Sequence, residues 1–426
     1  MNMMSKTTIS KETAVLHRAA WLVPVRTPPI SNGGVLVRGN HILAAGPFER
    51  LKAEAPAHAK HVDHGSVALL PALVNAHTHL ELTALRGQIA LPRESFSAWL
   101  RELLPSRVLL TPEEQVEGFT AGEQELAAGG VGLYADITNG VCLETAHTES
   151  SPIRQTFLEI LGFDRSDLEA ALDPDLFKAF TGMSPQDHPH CSLAAHACYS
   201  TSGALIRQTK EWCRERGSLF SIHIAEHPDE VEFIRDGTGF CRELLQTLGR
   251  WNPRWKPLCT TPIGYLDQLG VLDEHTLLVH AVHMTESDWE IVLRHRSPVC
   301  FCPRSNLNLN VGRPDISKAV RWGATVALGT DSLASNTDLN LFAEADYVLN
   351  QHPDVSPDLI LSMITLGGAT ALGQSHRFGS LEPGKRSALL AVSLPDFLPA
   401  SRLMETIIQQ GKEGACEWAS IPKTGN

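Results

Sequence analysis

The chain has 426 residues, of which 43% are apolar and 20% are charged. This length suits one barrel-sized domain with a smaller module, and the ordinary composition requires no large disordered part. The formal net charge of −12 argues against a general nucleic-acid binder, because such a protein needs a basic face to neutralise phosphates. We therefore expect a small-molecule ligand and no nucleic-acid polymer among its partners.

The cysteines and the apolar runs of the sequence indicate the cellular compartment of the protein. The nine cysteines are scattered without the spacing of a disulfide framework, which indicates reduced thiols. The N-terminal residues lack the apolar core of a signal peptide, and no apolar run is long enough to span a bilayer. These features predict a cytoplasmic protein with no membrane contact.

The first part of the chain has the pattern of a small β module. The segment Ala19–Val25 is apolar, and the runs Gly34–Val37 and His41–Gly46 flank a turn at residues 38–40. Nothing in this part suggests chemistry. His58, His61 and His64 are interpreted as solvated loop and edge-strand residues.

Strand patterns return near the C-terminal end of the chain. The sequence GSLEPGK (Gly379–Lys385) is typical of a turn-rich hairpin, and the apolar run Ala388–Leu394 follows it. We predict that residues 1–68 and 376–426 combine into one small β-sandwich. Residues 69–375 are predicted to form the larger domain between them.

In the predicted larger domain, eight short apolar runs alternate with helix-like segments. Alternation of strands and helices implies a parallel sheet, and eight such units predict a (β/α)₈ barrel of the TIM type in the α/β class. The active site of that fold lies at the carboxyl ends of the strands. The eight runs are Leu70–His77, Gly132–Thr138, Phe157–Phe163, Ser192–Tyr199, Leu219–Ala225, Thr276–His283, Val299–Pro303 and Thr325–Thr330.

Histidines and acidic residues lie at the ends of five of these runs. His77 and His79 end the first run two residues apart, so that on a strand both side chains point to one face. Imidazole nitrogens and carboxylate oxygens are typical ligands of Zn²⁺. The sequence therefore predicts a metal site at this end of the barrel. The other histidines and acidic residues at the ends of these runs are His196, His223, Glu226, His280, His283 and Asp331.

The joint pattern of these motifs resembles the amidohydrolase superfamily, and most closely its deaminase and chlorohydrolase branch. The motifs are HTH at His77–His79, HIAE at His223–Glu226, VHAVHM around His280 and GTDS around Asp331. The resemblance covers about residues 15–410. The family usually has Pro-Gly where this chain has Pro71-Ala72, and Ala-Asp-Leu where it has Ser387-Ala388-Leu389; both departures lie away from the predicted metal.

The resemblance implies one divalent metal ion. Zn²⁺ is favoured for three imidazoles and one carboxylate, with Fe²⁺ or Mn²⁺ as alternatives. Relatives with two ions carry a bridging lysine on the fourth strand, and the run Ser192–Tyr199 has none, which predicts a single ion. The implied ligands are His77, His79, His223 and Asp331.

The resemblance also implies three catalytic roles. Glu226 protonates a ring nitrogen of the substrate, and His280 holds the attacking water by a hydrogen bond. Asp331 both binds the metal and accepts the proton of that water, so that catalysis combines general acid–base and metal chemistry. A protonated Glu226 near neutral pH requires a raised pKa, as desolvation would give.

Five residues are predicted to contact the substrate. His196 resembles the family's fourth-strand histidine that does so. Glu81 either binds a substrate hydroxyl or pairs with Arg86, and Trp99 either lines the pocket or packs on one face of a helix. Arg304 and Asn306 end the seventh predicted strand, and they either orient the substrate or brace the barrel. The five are His196, Glu81, Trp99, Arg304 and Asn306.

The resemblance narrows the reaction further. The HxAE motif is similar to adenosine-type and S-adenosylhomocysteine deaminases, and HTHLELTALRG followed by Phe-x-x-Trp is similar to aminodeoxyfutalosine deaminases. We predict hydrolytic release of ammonia from a 6-aminopurine nucleoside through attack of metal-bound hydroxide, with aminodeoxyfutalosine favoured. The alternatives are guanine or cytosine deamination, triazine dechlorination at the same site, and a non-catalytic scaffold with lost ligands. Relatives often dimerise, so a homodimer is expected by analogy.

Overall fold

The computed structural model describes residues 13–140, 152–182 and 191–420. These residues form two sheets, one of seven strands and one of eight. The strands in chain order are β1 (Val15–Leu22), β2 (Ile30–Arg38), β3 (His41–Pro47), β4 (Lys60–Asp63), β5 (Val67–Pro71), β6 (Leu73–Thr78), β7 (Val131–Thr138), β8 (Ile153–Ile160), β9 (Cys191–Ala197), β10 (Phe220–Ile224), β11 (Thr276–His280), β12 (Val299–Phe301), β13 (Val326–Leu328), β14 (Leu389–Ser393) and β15 (Cys416–Ser420).

Helices connect the strands of the larger sheet. Several begin where the sequence supplies a cap: at the start of the third helix, Thr111 and Glu114 form a reciprocal capping box. Two 3₁₀ helices span Leu80–Leu85 and Ala400–Arg402. The α-helices are α1 (Phe48–Glu54), α2 (Phe96–Leu109), α3 (Pro112–Ala128), α4 (Leu168–Ala171), α5 (Pro174–Gly182), α6 (Gly203–Glu215), α7 (Pro228–Asp236), α8 (Phe240–Thr247), α9 (Pro262–Leu269), α10 (Glu286–His295), α11 (Pro303–Asn308), α12 (Ile316–Arg321), α13 (Leu341–Gln351), α14 (Pro357–Met363), α15 (Leu366–Ala371) and α16 (Leu403–Lys412).

The larger sheet is a barrel of eight parallel strands in sequential order from β6 to β13. A parallel bridge between Thr78 and Asp331 links the two terminal strands, and the Asp331 backbone N–H donates to the His77 carbonyl at 3.1 Å. The predicted (β/α)₈ class is confirmed. All eight carboxyl ends therefore open on one side of the barrel.

An apolar plug fills the barrel beneath that opening. On β7 the alternate residues Leu133, Ala135 and Ile137 belong to one buried cluster with Phe157 and Cys300 from other strands. Alternation along each strand sends every second side chain inward. Because the interior is packed with apolar groups, inward-facing polar side chains are concentrated where the strands end.

The smaller sheet is built from both ends of the chain, as the sequence predicts. Strands β5 and β14 pair antiparallel, with Leu70 opposite Leu390, so that the C-terminal part of the chain joins the N-terminal strands. The predicted boundaries at 68/69 and 375/376 stay predictions, and β5 (Val67–Pro71) spans the first of them. Within the described residues, none of the helices combines the length and apolar character needed to cross a membrane.

His17 in the smaller sheet predicts a loss of stability in acid. Its ring stacks on His64, with Nδ1 at 2.9 Å from Nε2 of that residue. Burial and the charge of His64 lower the pKa of His17 from 6.5 to about 4. Between these values the unfolded chain binds a proton that the folded chain does not, so the free energy of unfolding falls as the pH falls below 6.5. The loss amounts to about 2 kcal/mol by pH 5.

Urea unfolding at pH 7 and pH 5 measures this contribution. We expect His17→Gln to lose less stability between the two pH values than the wild type does. The control is His58→Gln, which changes an exposed histidine. An equal drop for His17→Gln and the wild type would contradict the assignment.

Candidate active site

Four side chains meet at the open end of the barrel with the spacing of ligands to one ion. The Nε2 atom of His223 lies 3.2 Å from that of His79 and 3.3 Å from that of His77. The Oδ1 atom of Asp331 lies 3.7 Å from Nε2 of His77 and of His79. Tetrahedral Zn²⁺ with bonds of about 2.0–2.1 Å separates its ligand atoms by roughly 3.3 Å. The cluster therefore fits a divalent metal.

His77 and His79 of this cluster are neutral at physiological pH. Burial lowers the pKa of His77 well below its usual value and lowers the pKa of His79 to about 4. A neutral imidazole offers a lone pair to a metal, whereas an imidazolium does not. Burial in the barrel thus prepares both side chains as ligands.

Hydrogen bonds hold the ligand atoms in place. His223 Nδ1 donates to the His196 carbonyl at 2.7 Å, which leaves Nε2 free to face the cluster. The Oδ2 atom of Asp331 accepts from Ser305 Oγ at 2.6 Å and from Ser335 Oγ at 3.0 Å, which leaves Oδ1 for a metal. Such partners fix the tautomer and orientation of metal ligands.

The backbone is strained at several residues in and next to this cluster. Ala225, His280, Ala281 and Asp331 all adopt positive φ, between 48° and 75°. Non-glycine residues seldom adopt this conformation, and it concentrates at functional sites. The strain lies where three strands end, and it turns the chain so that side chains point into the opening.

Glu226 and His280 lie beside the cluster. Oε1 of Glu226 is 3.7 Å from Nε2 of His280. Burial raises the pKa of Glu226 well above its usual value, and the charges of Asp331 and Glu230 raise it further. Asn306 Nδ2 lies 3.1 Å from His280 Nδ1; donation by the amide places the imidazole proton on Nε2, facing Glu226. The site thus combines a carboxyl group whose pKa is raised with a neutral imidazole that donates.

A cavity opens over these groups, and its walls are mostly apolar. Helix α2 contributes one wall, with Phe96 stacked on His227 at 3.9 Å between ring centroids. Trp99 lines the cavity, as one of its two predicted roles requires, and its Nε1 donates to the Ala334 carbonyl at 2.8 Å. Helix α8 supplies Leu244 and Leu245 to the opposite part of the lining.

The other predicted substrate contacts divide into two groups. His196 lines the cavity, with its Nδ1 at 2.6 Å from Ser200 Oγ. Glu81 does not line it: the carboxylate accepts from Arg107 at 2.6 Å and from Thr138 at 2.9 Å. Arg86, the alternative partner of Glu81, pairs with Glu125 instead.

The contacts of Arg304 and Asn306 match the second of their two predicted roles, which is to brace the barrel, and their contact with the substrate stays a prediction. Arg304 donates to both carboxylate oxygens of Asp338, at 2.8 and 2.7 Å, and braces the loop after β13. Asn306 contacts His280 instead. Neither residue belongs to the cavity lining, and both lie on α11, which begins directly after β12.

Glu159 and Arg250 are charged lining residues that were not identified from the sequence. Glu159 lies within the third predicted run, whose end was placed at Phe163, whereas β8 ends at Ile160. A strand end placed correctly would have identified it. Arg250 follows α8 in a loop that carries no recognisable motif.

Comparison with known proteins identifies the family of this chain. The profile of the Amidohydrolase family matches residues 68–414. The aminodeoxyfutalosine deaminase of Deinococcus radiodurans is 31% identical over 80% of this chain and 82% of its own length. A 5-methylthioadenosine/S-adenosylhomocysteine deaminase of Pelotomaculum thermopropionicum is 28% identical over 88% of this chain and 84% of its own length.

Solved structures show the same architecture. An adenosine deaminase from Xanthomonas campestris with bound zinc has a TM-score of 0.74 at 25% identity, covering 92% of this chain and 89% of its own. The Helicobacter pylori aminofutalosine deaminase in complex with methylthio-coformycin has a TM-score of 0.81 at 23% identity, covering 93% and 96%. The barrel, its metal-type cluster and the profile match agree, and the chain belongs to the amidohydrolase family.

Proposed function

We propose that this protein is a hydrolase that uses one divalent metal to release ammonia from 6-aminopurine nucleosides. The observation that carries the proposal is the juxtaposition of Glu226 with the four-ligand cluster: a buried carboxyl group with a raised pKa lies beside a site for a metal. Deamination of a purine ring needs both a proton donor to ring nitrogen and an activated water. Relatives named as nucleoside deaminases support the substrate class.

His77, His79, His223 and Asp331 would hold the metal. Three imidazoles and a carboxylate suit Zn²⁺, and Fe²⁺ or Mn²⁺ are alternatives. We propose a single ion, because no lysine on β9 could bridge a second. When bound, the ion supplies a strong nucleophile from water near neutral pH.

The remaining chemistry belongs to three side chains. Glu226 donates its proton to the ring nitrogen next to the amino-bearing carbon, which makes that carbon electrophilic. Asp331 accepts one proton from the attacking water, and His280 donates a hydrogen bond to its oxygen. Asp331 then passes its proton to the amino group as the carbon–nitrogen bond breaks. Glu226 recovers a proton from the attacking oxygen as the carbonyl forms, so that ammonia and the oxo-purine leave.

The cavity favours a nucleoside with a substituted 5′ position. Leucines line much of it, including Leu103 on α2 and Leu248 at the rim, which is 48% exposed. Arg250 lies in the same lining, and among the described residues its guanidinium pairs with no carboxylate. An apolar wall with this guanidinium group suits a 5′ substituent that is apolar along its length and ends in an anion. This feature supports aminodeoxyfutalosine, which carries an aryl carboxylate, over adenosine.

Ammonia release from a substrate panel tests the proposal. The panel contains adenosine, methylthioadenosine, S-adenosylhomocysteine and aminodeoxyfutalosine, with guanine and cytosine as outgroups. We expect turnover of the nucleosides by Zn²⁺-loaded protein, the highest kcat/KM with aminodeoxyfutalosine, and no turnover after chelation. Turnover restricted to guanine or cytosine would contradict the nucleoside assignment.

Replacement of Arg250 tests the role of the rim. We expect Arg250→Gln to lower kcat/KM for aminodeoxyfutalosine about 10-fold, because a charge-assisted hydrogen bond to the carboxylate is lost. For methylthioadenosine, whose 5′ substituent is uncharged, kcat/KM should not change. The control is Arg254→Gln, in the same loop but outside the lining. Equal losses of kcat/KM on both substrates would show that Arg250 does not bind the carboxylate of the 5′ substituent.

A further inference from the structure

Glu159 is a buried carboxylate in the cavity that the catalytic steps do not use. It lies at the end of β8, with only 6% of the residue exposed, and it lines the cavity. Its Oε2 atom accepts from Asn139 Nδ2 at 2.9 Å. Its Oε1 atom is buried and has no hydrogen-bond partner among the residues that the structure describes. One oxygen of the carboxylate is thus anchored, and the other has no donor within residues 13–140, 152–182 and 191–420.

The Nδ1 atoms of the two neighbouring histidines are already engaged. His223 Nδ1 lies 4.0 Å away, and it donates to the His196 carbonyl at 2.7 Å. His196 Nδ1 contacts Ser200 Oγ at 2.6 Å. A buried carboxylate oxygen without a donor is costly, so such a group in a binding cavity indicates that a ligand supplies the donor.

The geometry points to the ribose hydroxyls of the nucleoside as that donor. We propose that Glu159 accepts a hydrogen bond from them, so that a nucleoside needs these hydroxyls for a high kcat/KM. An ionised carboxylate only accepts hydrogen bonds, and a hydroxyl group donates one. Glu159 ends the third barrel strand and Glu226 follows the fifth. Neighbouring strands are about 4.8 Å apart, so one nucleoside can span the two carboxyl groups, with its purine at Glu226 and its sugar at Glu159. The inference rests on the proposed nucleoside substrate.

A second cation is the competing interpretation. Glu159, His196 and His223 have possible ligand atoms within 4.8 Å of one another. Nδ1 of His223 donates to a carbonyl, however, and its Nε2 belongs to the first cluster. Only two side chains then remain for a second ion, fewer than the three protein ligands of a typical catalytic zinc site.

Sugar-modified nucleosides test the inference without any change in the protein. We expect the wild type to deaminate adenosine with a kcat/KM about 10- to 100-fold above that of 2′,3′-dideoxyadenosine, as the loss of hydrogen bonds to a charged group predicts. The single-deoxy analogues assign the effect to one hydroxyl or both. Equal kcat/KM for all four nucleosides would overturn the role of Glu159.

The Glu159→Gln variant completes the test. Its kcat/KM for adenosine should fall toward the value for the dideoxy analogue, while its value for the analogue and its metal content stay at the wild-type level. The matched control is Glu102→Gln, which removes a carboxylate of α2 that pairs with Arg93 outside the cavity. An equal fall on both substrates, or a second metal equivalent lost from the variant, would overturn the proposal in favour of histidine positioning or a cation.

The outcomes separate this inference from the proposed function. Absence of ammonia from every nucleoside in the wild type would overturn the proposed function and the role of Glu159 with it. Turnover without discrimination among the sugars would overturn the role of Glu159 alone.

Discussion

Replacement of Glu226 by glutamine is expected to lower kcat about 100- to 10,000-fold while the bound metal is retained. A positioned general acid contributes about this factor, and glutamine keeps the size of the side chain but has no acidic proton to donate. Glu226 lies 3.7 Å from His280 Nε2 and is not among the four clustered ligand atoms. The loss should therefore appear in turnover and not in metal content.

Steady-state ammonia release and elemental analysis of the same preparation measure the two quantities. The control is Glu211→Gln, which changes a carboxylate with a 64% exposed side chain on α6. Wild-type turnover in Glu226→Gln would remove the proton-donor role. Loss of metal together with turnover would show instead that Glu226 supports the ion.

Replacement of Asp331 by alanine is expected to reduce both metal content and stability. The side chain contributes one of the four ligand atoms, at 3.7 Å from two of the others. Partners of metal ligands alone typically contribute about 10- to 100-fold in affinity, so we expect a loss of at least about 100-fold for the ligand itself. Turnover should fall with it, because Asp331 also moves protons.

Thermal unfolding with and without a chelator reports the same interaction. A metal that binds only the folded state raises its stability, so chelation should lower the Tm of the wild type and leave that of Asp331→Ala nearly unchanged. Asp338→Asn is the control, since Asp338 pairs with Arg304 outside the cluster. A normal metal content in Asp331→Ala would remove Asp331 from the ligand set.

The sequence predicted most of the catalytic cluster because barrel topology converts chain position into spatial position. The ends of parallel strands meet at one face, so His77, His223 and Asp331 could be brought together without knowledge of any loop. The family resemblance added their roles. The structure brings all four predicted ligand atoms together, and their role as ligands stays a proposal.

Positions outside the strands were not predictable in this way. Glu81 pairs with Arg107, and Arg304 pairs with Asp338; each partner lies more than twenty residues along the chain on a separate element. Such pairs depend on where helices and loops pack, which periodicity does not report. Arg250 was missed for the same reason.

Errors in the predicted ends of strands were a second limit on the prediction of site residues. A boundary error of three residues placed Glu159 in the middle of its run, where it reads as a residue of the strand interior. In the structure it lies one residue before the end of β8. Because only strand ends face the opening, a shift of this size decides whether a carboxylate is considered functional.

Titration of the metal-free protein with Zn²⁺ tests the central claim most directly. Ammonia release from aminodeoxyfutalosine would be followed as Zn²⁺ is added to the chelated and desalted wild type. We expect activity to rise linearly and to reach its maximum at one equivalent, as a single cluster of three histidines and Asp331 requires. Full activity without metal, or no ammonia from any 6-aminopurine nucleoside with the metal bound, would contradict a metal-dependent nucleoside deaminase.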